Sequence, residues 1–468
     1  MSGITDLSLS ELARAVAKRK IGAVEATKAA IQRIETLQPK LNCFIGFAPE
    51  PALKAAKRID AALAKRKKLG PLAGVPLAHK DMYYRKGRVA TCGSGQRKTW
   101  IADSTATALE RLDAAGALDL GTLNMAEFAF GPTGHNYHFG HCRNPWDTAK
   151  ITGGSSSGSA SAVAGRLVFG ALGSDTGGSI RLPAHLCNLS GLKPTEGRVS
   201  RAGAMPLSFS LDTVGPLTRT VEDSALILHA IAGPDPRDAT ASARPVPDYV
   251  AACRKNAKGL RIAVPRAFFW DGMDGAIGKT LEAALGEFRR LGCRLVPVDP
   301  PDMVRITAAA NIVLGAEAST LHRPWMLESP DRYSAQVRAR LENGLAYTAV
   351  QYIDALRWRG TAVRAFLAML DKADLIFAPA FDKPTPSIAE TDVGGSTAAP
   401  ATIAALTRLC RPVNYLGLPS LSVQAGFANG MPVGFQLIGR PFDEETLFMA
   451  GAAYQRATDW HERGPDLR

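Results

Sequence analysis

The sequence predicts an α/β protein in which short buried strands alternate with helices around one covered sheet. Three observations carry that prediction. From residue 71 onward, short apolar runs such as "GALDLGTLN" (116–124), "LVFGALGSD" (167–175) and "LRIAVP" (260–265) end in turns and lead into helical stretches. Such alternation is what a largely parallel, covered sheet requires. Hydrophobic residues make up 46% of the 468 positions and charged residues 21%, which supplies a large core and argues against global disorder. No stretch of 18 apolar residues occurs and the N-terminus has no apolar signal core, so neither a membrane span nor a secretory leader is expected.

Taken in order, Ser8 and Glu11 make an S-x-x-E helix start, and Leu9, Leu12, Ala13 and Val16 follow at helical spacing. Val24, Ile31 and Ile34 mark a second helix, and Leu53, Ala56 and Leu63 a third. Residues 1–70 therefore read as a helical segment packed on the core, and residues 71–468 as the α/β unit, with one domain overall. The basic run "AKRKKLG" (64–70) closes the third helix and reads as a solvated face. The stretch 232–249 is rich in proline and charge, yet similar strand patterns lie on both sides, so it reads as a surface crossing within one fold. Residues 421–439 form a hairpin with Asn429-Gly430 at its turn. A helix capped by Asp443 closes the chain.

The net charge of +13 favours anionic partners or substrates. Seven scattered cysteines without a C-x-x-C pair read as reduced thiols, and with them a cytoplasmic location. His135, His138 and His141 recur at i, i+3 and i+6 in "GHNYHFGHC", but the run reads as a loop with no accompanying carboxylate or cysteine cluster. No metal site is expected there.

Two segments stand out chemically. "ITGGSSSGSASA" (151–162) has a linker's composition, but it is flanked by core patterns, so its glycines and serines serve geometry. "GSDTGGSIRLPA" (173–184) follows a strand, and Gly177-Gly178 ahead of Ser179 would let consecutive N–H groups point at one spot. A nucleophilic serine there needs a base. His185 is near in sequence, but neither loop contains a G-x-S-x-G elbow, and no G-x-x-x-x-G-K-[ST] phosphate cradle is present. Lys80 in "LAGVPLAHKDMYY" remains: a lysine carried on a strand into a core is desolvated and driven towards its neutral form. Pairing with Asp81 is the alternative, although neighbours on a strand face opposite ways.

Together "GVPLAHKD", "GGSSSGSA" and "GSDTGGSIRLPA" resemble the amidase signature family. The likeness continues through "LNMAEFAFGPTGHN", "RNPWD", "GLKPTEGRVSRAG", "SLDTVGPLTRTVED" and "PVNYLGLPSLSVQAGFANGMPVGFQLIG". The resemblance implies the family's fold, a large mixed central sheet covered by helices on both faces. It implies Ser179 as nucleophile, Ser155 as bridging serine after a cis Gly154–Ser155 peptide, and Lys80 as base. The N–H groups of Thr176, Gly177, Gly178 and Ser179 would form the oxyanion hole. Ser156, Asp175 and Arg181 would support the site, and no metal or organic cofactor is implied.

For the substrate, Met82, Tyr83 and Tyr84 suggest an apolar, aromatic wall, with His135 or His138 as further contacts. The pattern is similar in style to the glutaminase component of the glutamyl-tRNA amidotransferase, its A chain. However, "GPTGHN" stands where that component has "STEN", and Thr407 falls where the acid recognising the glutamine amino group is expected. Arg340 sits near the place of that acid's partner arginine. The resulting expectation is a stand-alone hydrolase of a small carboxamide, as a monomer or homodimer, with no membrane and no nucleic acid unless it joins an amidotransferase complex. The alternatives are that amidotransferase component itself, a hydrolase of a urea-derived amide, and a non-catalytic binding module, which the intact Lys80, Ser155 and Ser179 oppose.

Overall fold

The computed structural model describes residues 3–467. Eleven strands build one sheet: β1 (Phe44–Phe47), β2 (Pro76–Lys80), β3 (Leu118–Leu123), β4 (Gly170–Asp175), β5 (Ser190–Lys193), β6 (Thr213–Thr218), β7 (Arg261–Pro265), β8 (Arg294–Val298), β9 (Leu375–Pro379), β10 (Ser420–Ala428) and β11 (Met431–Ile438). Their order is β1-β3-β2-β4-β6-β5-β10-β11-β9-β7-β8. Every residue of β2, β4, β5, β6, β9 and β11 is buried. Side chains alternate between faces along a strand, so helices and loops must cover both faces.

The sheet is mixed, as the family resemblance implies, and not largely parallel as the alternation alone suggests. Four strand pairings are parallel and six are antiparallel. The buried strands carry no alternation that could reveal direction, and the antiparallel partners of β4, β6 and β5 arrive through long connections rather than tight turns.

The N-terminal helices lie where their spacing puts them, at Leu9–Ala17 with a Ser8–Glu11 capping box, Ala23–Leu41 and Pro49–Ala64. Between the last two, however, Phe44–Phe47 forms the edge strand β1, antiparallel to β3. The first 70 residues are thus woven into the sheet rather than only packed on it. The crossing at 232–249 follows the surface and is tied to the loop after β5, with Gly233 N–H donating to Arg198 O at 3.1 Å and Ser242 N–H to Gly197 O at 2.7 Å. Sheet strands from both sides of this crossing share one order, β10 lying beside β5.

The serine-rich segment is a helix, Ser157–Ala164, with all eight residues buried. Small residues are required because the helix lies directly on backbone. A Cβ on Gly158 would stand 2.5 Å from Asn124 N and 2.6 Å from Asn124 O, and against Cys43 O as well. This contact brings the helix onto both β3's end and the chain leading into β1. Gly158→Ala is therefore expected to lower stability by about 1–3 kcal/mol. Gly286→Ala, on the helix Gly275–Arg290 with nothing within 4 Å of its Cβ position, is expected to be neutral or to gain up to about 1 kcal/mol. Urea unfolding of the two variants checks the contrast.

Candidate active site

Parallel strands place their carboxyl ends on the same edge of the sheet, where helix N-termini gather. β2 pairs in parallel with β4. Lys80 is the last residue of β2, and Ser174 and Asp175 end β4. Ser155 and Ser156 lead into the helix Ser157–Ala164, and Ser179 lies just before the helix Arg181–Leu186. The two loops singled out in the sequence therefore meet the lysine at one point.

Lys80 is fully buried. Its Nζ donates to Ser155 Oγ at 2.7 Å, Ser174 Oγ at 2.8 Å and Ser156 Oγ at 3.2 Å. Burial disfavours the ammonium and pulls the Lys80 pKa down to about 7, with Asp212 and Asp175 acting in the opposite direction. Asp81 turns away and accepts from Thr91 N at 3.1 Å, so the Lys80–Asp81 pairing does not form. The Gly154–Ser155 peptide is cis.

Asp175 holds the loop that carries Ser179. Its carboxylate accepts from Gly178 N at 2.8 Å, Ile180 N at 3.1 Å, Arg181 Nε at 3.1 Å and Arg181 Nη2 at 3.0 Å. Both Asp175 and Arg181 are completely buried. Burial alone would raise the Asp175 pKa, but the Arg181 guanidinium holds it far below the usual carboxylate range. Gly178 takes φ +115°, and a Cβ there would stand 2.7 Å from Cys410 Cβ, so only glycine fits. One expectation is corrected here: the Gly178 N–H is spent on Asp175 and is not free for an oxyanion. The N–H groups of Thr176, Gly177 and Ser179 carry no such bond among the described residues. Ser179 is partly exposed, unlike its neighbours on the loop.

Several neighbours were not singled out from the sequence. Ser174 supplies the third hydroxyl on Lys80. Asp212 accepts from Thr176 Oγ1 at 2.6 Å and from Leu207 N at 2.8 Å, fixing the loop's first residue. Asn414 donates to Asp175 Oδ1 at 2.8 Å and accepts from Arg181 Nη2 at 2.6 Å, while Gln436 Oε1 accepts from Arg181 Nη1 at 2.9 Å. Asp212, Asn414 and Gln436 all lie in segments that carried the family likeness, but nothing in their spacing ties them to residue 175.

Other expected contacts are occupied elsewhere. His185 sits against Gly434, its Nδ1 2.9 Å from Gly434 O, and burial lowers its pKa to about 4, so it is not the serine's base. Tyr83 is buried and its hydroxyl donates to Gly173 O at 2.5 Å, which makes it part of the scaffold rather than a substrate wall. Tyr84 packs against the Trp100 ring at a tilt of 55°. Met82 does line a cavity of about 240 Å³, with Ser174, Met205 and Asp212. His138 Nε2 lies 2.9 Å from the buried Glu127 and His135 Nε2 3.0 Å from Thr391 Oγ1, so both serve packing and capping. The fold also brings Asp392 to this histidine run: His135, His141 and Asp392 offer one ligand atom each within 4.8 Å of one another. The sequence-based view that no carboxylate accompanies the run is corrected by this distant residue, whose Oδ1 accepts from Tyr137. Arg340 lies over the Phe130 ring and donates to Phe130 O at 2.6 Å.

The chain matches the family model described as Amidase over residues 25–448. It is 41% identical to the A chain of the glutamyl-tRNA(Gln) amidotransferase from Methylococcus capsulatus, over 98% of this chain and 98% of that protein. Among solved structures, one reported as a vestigial protein complex revealing the origins of an s-triazine catabolic enzyme superposes with TM-score 0.90. That chain is 34% identical, over 96% of this chain and 98% of its own length. An amidase superposes with TM-score 0.86 at 30% identity, over 96% of this chain and 99% of its own.

The ion pair under the loop gives a stability prediction. Asp175→Asn would leave Arg181 buried without a counter-charge, at a cost of about 3–5 kcal/mol. Because the folded pKa of Asp175 is depressed, its contribution is complete above the unfolded carboxylate value of about 4 and is lost as pH falls towards the folded value. Urea titrations should show a constant gap between wild type and variant from pH 7 to about 4, narrowing only below that range.

Proposed function

The chain belongs to the amidase family and is an amide C–N hydrolase, and we propose that it cleaves a small carboxamide through an acyl-enzyme on Ser179. The observation that carries this reading is Lys80, a wholly buried amine whose hydrogen bonds all go to serine hydroxyls. Neutral Lys80 accepts the Ser155 proton while Ser155 accepts that of Ser179, and Ser179 Oγ attacks the amide carbonyl carbon. The oxyanion is held by the N–H groups of Thr176, Gly177 and Ser179. The proton then returns through Ser155 to the departing nitrogen, the C–N bond breaks, and water hydrolyses the ester formed on Ser179. Ser156 and Ser174 hold the amine in line, and Asp175 with Arg181 holds the loop.

A second reading is favoured by the 41% identity to an amidotransferase component: glutamine as ammonia donor, with partner proteins. Against it stands Thr407, whose hydroxyl donates to Ile403 O at 2.8 Å and offers no charge to a glutamine ammonium. An unpaired buried ammonium costs several kcal/mol. No helix among the described residues is long and apolar enough to cross a membrane. The seven cysteines are free and buried, which supports work in the reducing cytoplasm.

Two measurements test the mechanism. After treatment with a sulfonyl fluoride, mass spectrometry should find the adduct on Ser179, and Ser179→Ala should lose at least about a thousandfold in rate; an adduct on Ser155 instead would overturn the assignment. Because Lys80 must be neutral to act, kcat/KM should rise with pH up to about 7 and level off above it. Lys80→Ala should lose at least about a hundredfold. Rapid hydrolysis of glutamine with no turnover of other small amides would favour the second reading.

A further inference from the structure

His135, His141 and Asp392 each offer one ligand atom within 4.8 Å of the other two, and no step of the hydrolysis above uses any of them. His135 is 3% exposed, and its Nδ1 has no partner among the described residues. Thr391 fixes the tautomer of this ring. The Thr391 hydroxyl donates to Ser387 O at 2.9 Å, so it accepts from His135, whose Nε2 lies 3.0 Å away. The proton therefore sits on Nε2, and Nδ1 keeps a bare lone pair. A buried acceptor left unpaired costs free energy, and a metal cation is the other partner that a neutral imidazole nitrogen takes.

The other two groups are built the same way. His141 Nδ1 lies 3.1 Å from both Asn136 N and Asn136 O. In the tautomer that donates to Asn136 O, Nε2 is bare and stands 3.8 Å from Asp392 Oδ2. Asp392 Oδ1 accepts from the Tyr137 hydroxyl at 2.5 Å, which leaves Oδ2 to face the rings. Each ligand thus has an outer partner on its far atom, Thr391, Asn136 or Tyr137, the arrangement that orients imidazoles and carboxylates towards a metal. Asn136 also fixes the loop that carries both histidines. Its side chain accepts from His138 N at 2.8 Å and Phe139 N at 2.9 Å, and donates to Gly93 O at 2.9 Å and Met125 O at 2.8 Å. His138 is not a further ligand, because its Nε2 faces Glu127.

We propose that His135, His141 and Asp392 bind one divalent transition cation, with Zn²⁺ the best match, and that the cation ties segment 386–392 to the loop 134–141. Sequence alone argued against a metal here, because Asp392 joins from far along the chain. Two imidazoles and one carboxylate suit zinc, whereas Ca²⁺ and Mg²⁺ demand about six or more oxygens. Zn–N bonds of about 2.0 Å put tetrahedral ligands about 3.3 Å apart, a closure that the partly exposed His141 and Asp392 can make. Water takes the fourth position. Both tied segments flank the chain that leads into Ser155. Ile151 N–H donates to Pro386 O at 3.1 Å and Ile388 N–H to Ala149 O at 2.8 Å, while Gly134 N lies 2.9 Å from the Cβ position of Gly154. The cation therefore braces the chain around Ser155 and shares no ligand with Lys80.

The test is Zn²⁺ binding by the untagged full chain after chelator treatment, read by competition with a chromophoric zinc indicator. Wild type should take one Zn²⁺ per chain at this site, and excess Mg²⁺ or Ca²⁺ should not displace it. His141→Ala and Asp392→Asn should each weaken binding by at least about tenfold, and Tyr137→Phe, which removes only an outer partner, by about tenfold. His229→Ala, at an exposed histidine elsewhere, should change nothing. His135→Ala removes the buried ligand; should it fail to fold, the His141 and Asp392 variants decide alone. Hydrogen exchange reads the clamp: Zn²⁺ should slow the amides of 388–392 in wild type and not in Asp392→Asn. Zn²⁺ binding unchanged in His141→Ala and Asp392→Asn, or absent from wild type, would overturn the site. Binding that depends on these residues but leaves exchange at 388–392 unaltered would support the site and overturn the clamp.

Discussion

The buried pair of Asp175 and Arg181 is the contact on which the rest of the site depends. It joins the end of β4 to the helix that follows Ser179, and its spare hydrogen bonds reach Asn414 and Gln436 near the C-terminus. An ion pair with no access to water survives only when nearly every donor and acceptor is matched. Here that matching also fixes the backbone of the loop that carries Ser179, since Gly178 and Ile180 donate to the same carboxylate. Stability and site geometry are therefore one problem solved by one set of atoms.

Lys80 is the converse case. No carboxylate contacts it, and its three partners are hydroxyls that tolerate either protonation state. A charged partner at the same place would hold the amine protonated and useless as a base. The structure thus keeps one buried cation charged by contact, Arg181 on the helix after β4, and leaves another near neutrality by isolation, Lys80 at the end of β2.

Much of this was legible from the chain. Local signals located the Ser8–Glu11 cap, the Asn429-Gly430 hairpin and the strand ending in Lys80, because each is set by residues within a few positions. Gly177-Gly178-Ser179 and Lys80 stood out by residue type, and the fold brings the lysine to both serine-bearing loops. What failed to show were features made by distant pairing. β1 is only four residues long and gains its strand character from β3. The alternation of strands and helices alone suggested a largely parallel sheet, because buried strands look alike whichever way they run; the mixed sheet was legible only through the family resemblance. Asp212, Asn414 and Arg411 are ordinary polar residues in sequence, and only the fold puts them against the loop at 176–179. Tyr83 misled for the same reason: an aromatic after a catalytic lysine looks like a wall, yet its hydroxyl serves Gly173.

The bond between Arg181 and Gln436 spans 255 residues, and this has a consequence for synthesis. A chain emerging from the ribosome displays Lys80, Ser155, Ser179 and Arg181 long before Asn414 and Gln436 exist. Until the final hairpin is made, the guanidinium at 181 lacks two of its acceptors and the sheet lacks β10 and β11, which lie between β5 and β9. Hydrolytic competence is therefore withheld until translation is almost complete, and a truncated product carries the reactive residues without the frame that aims them.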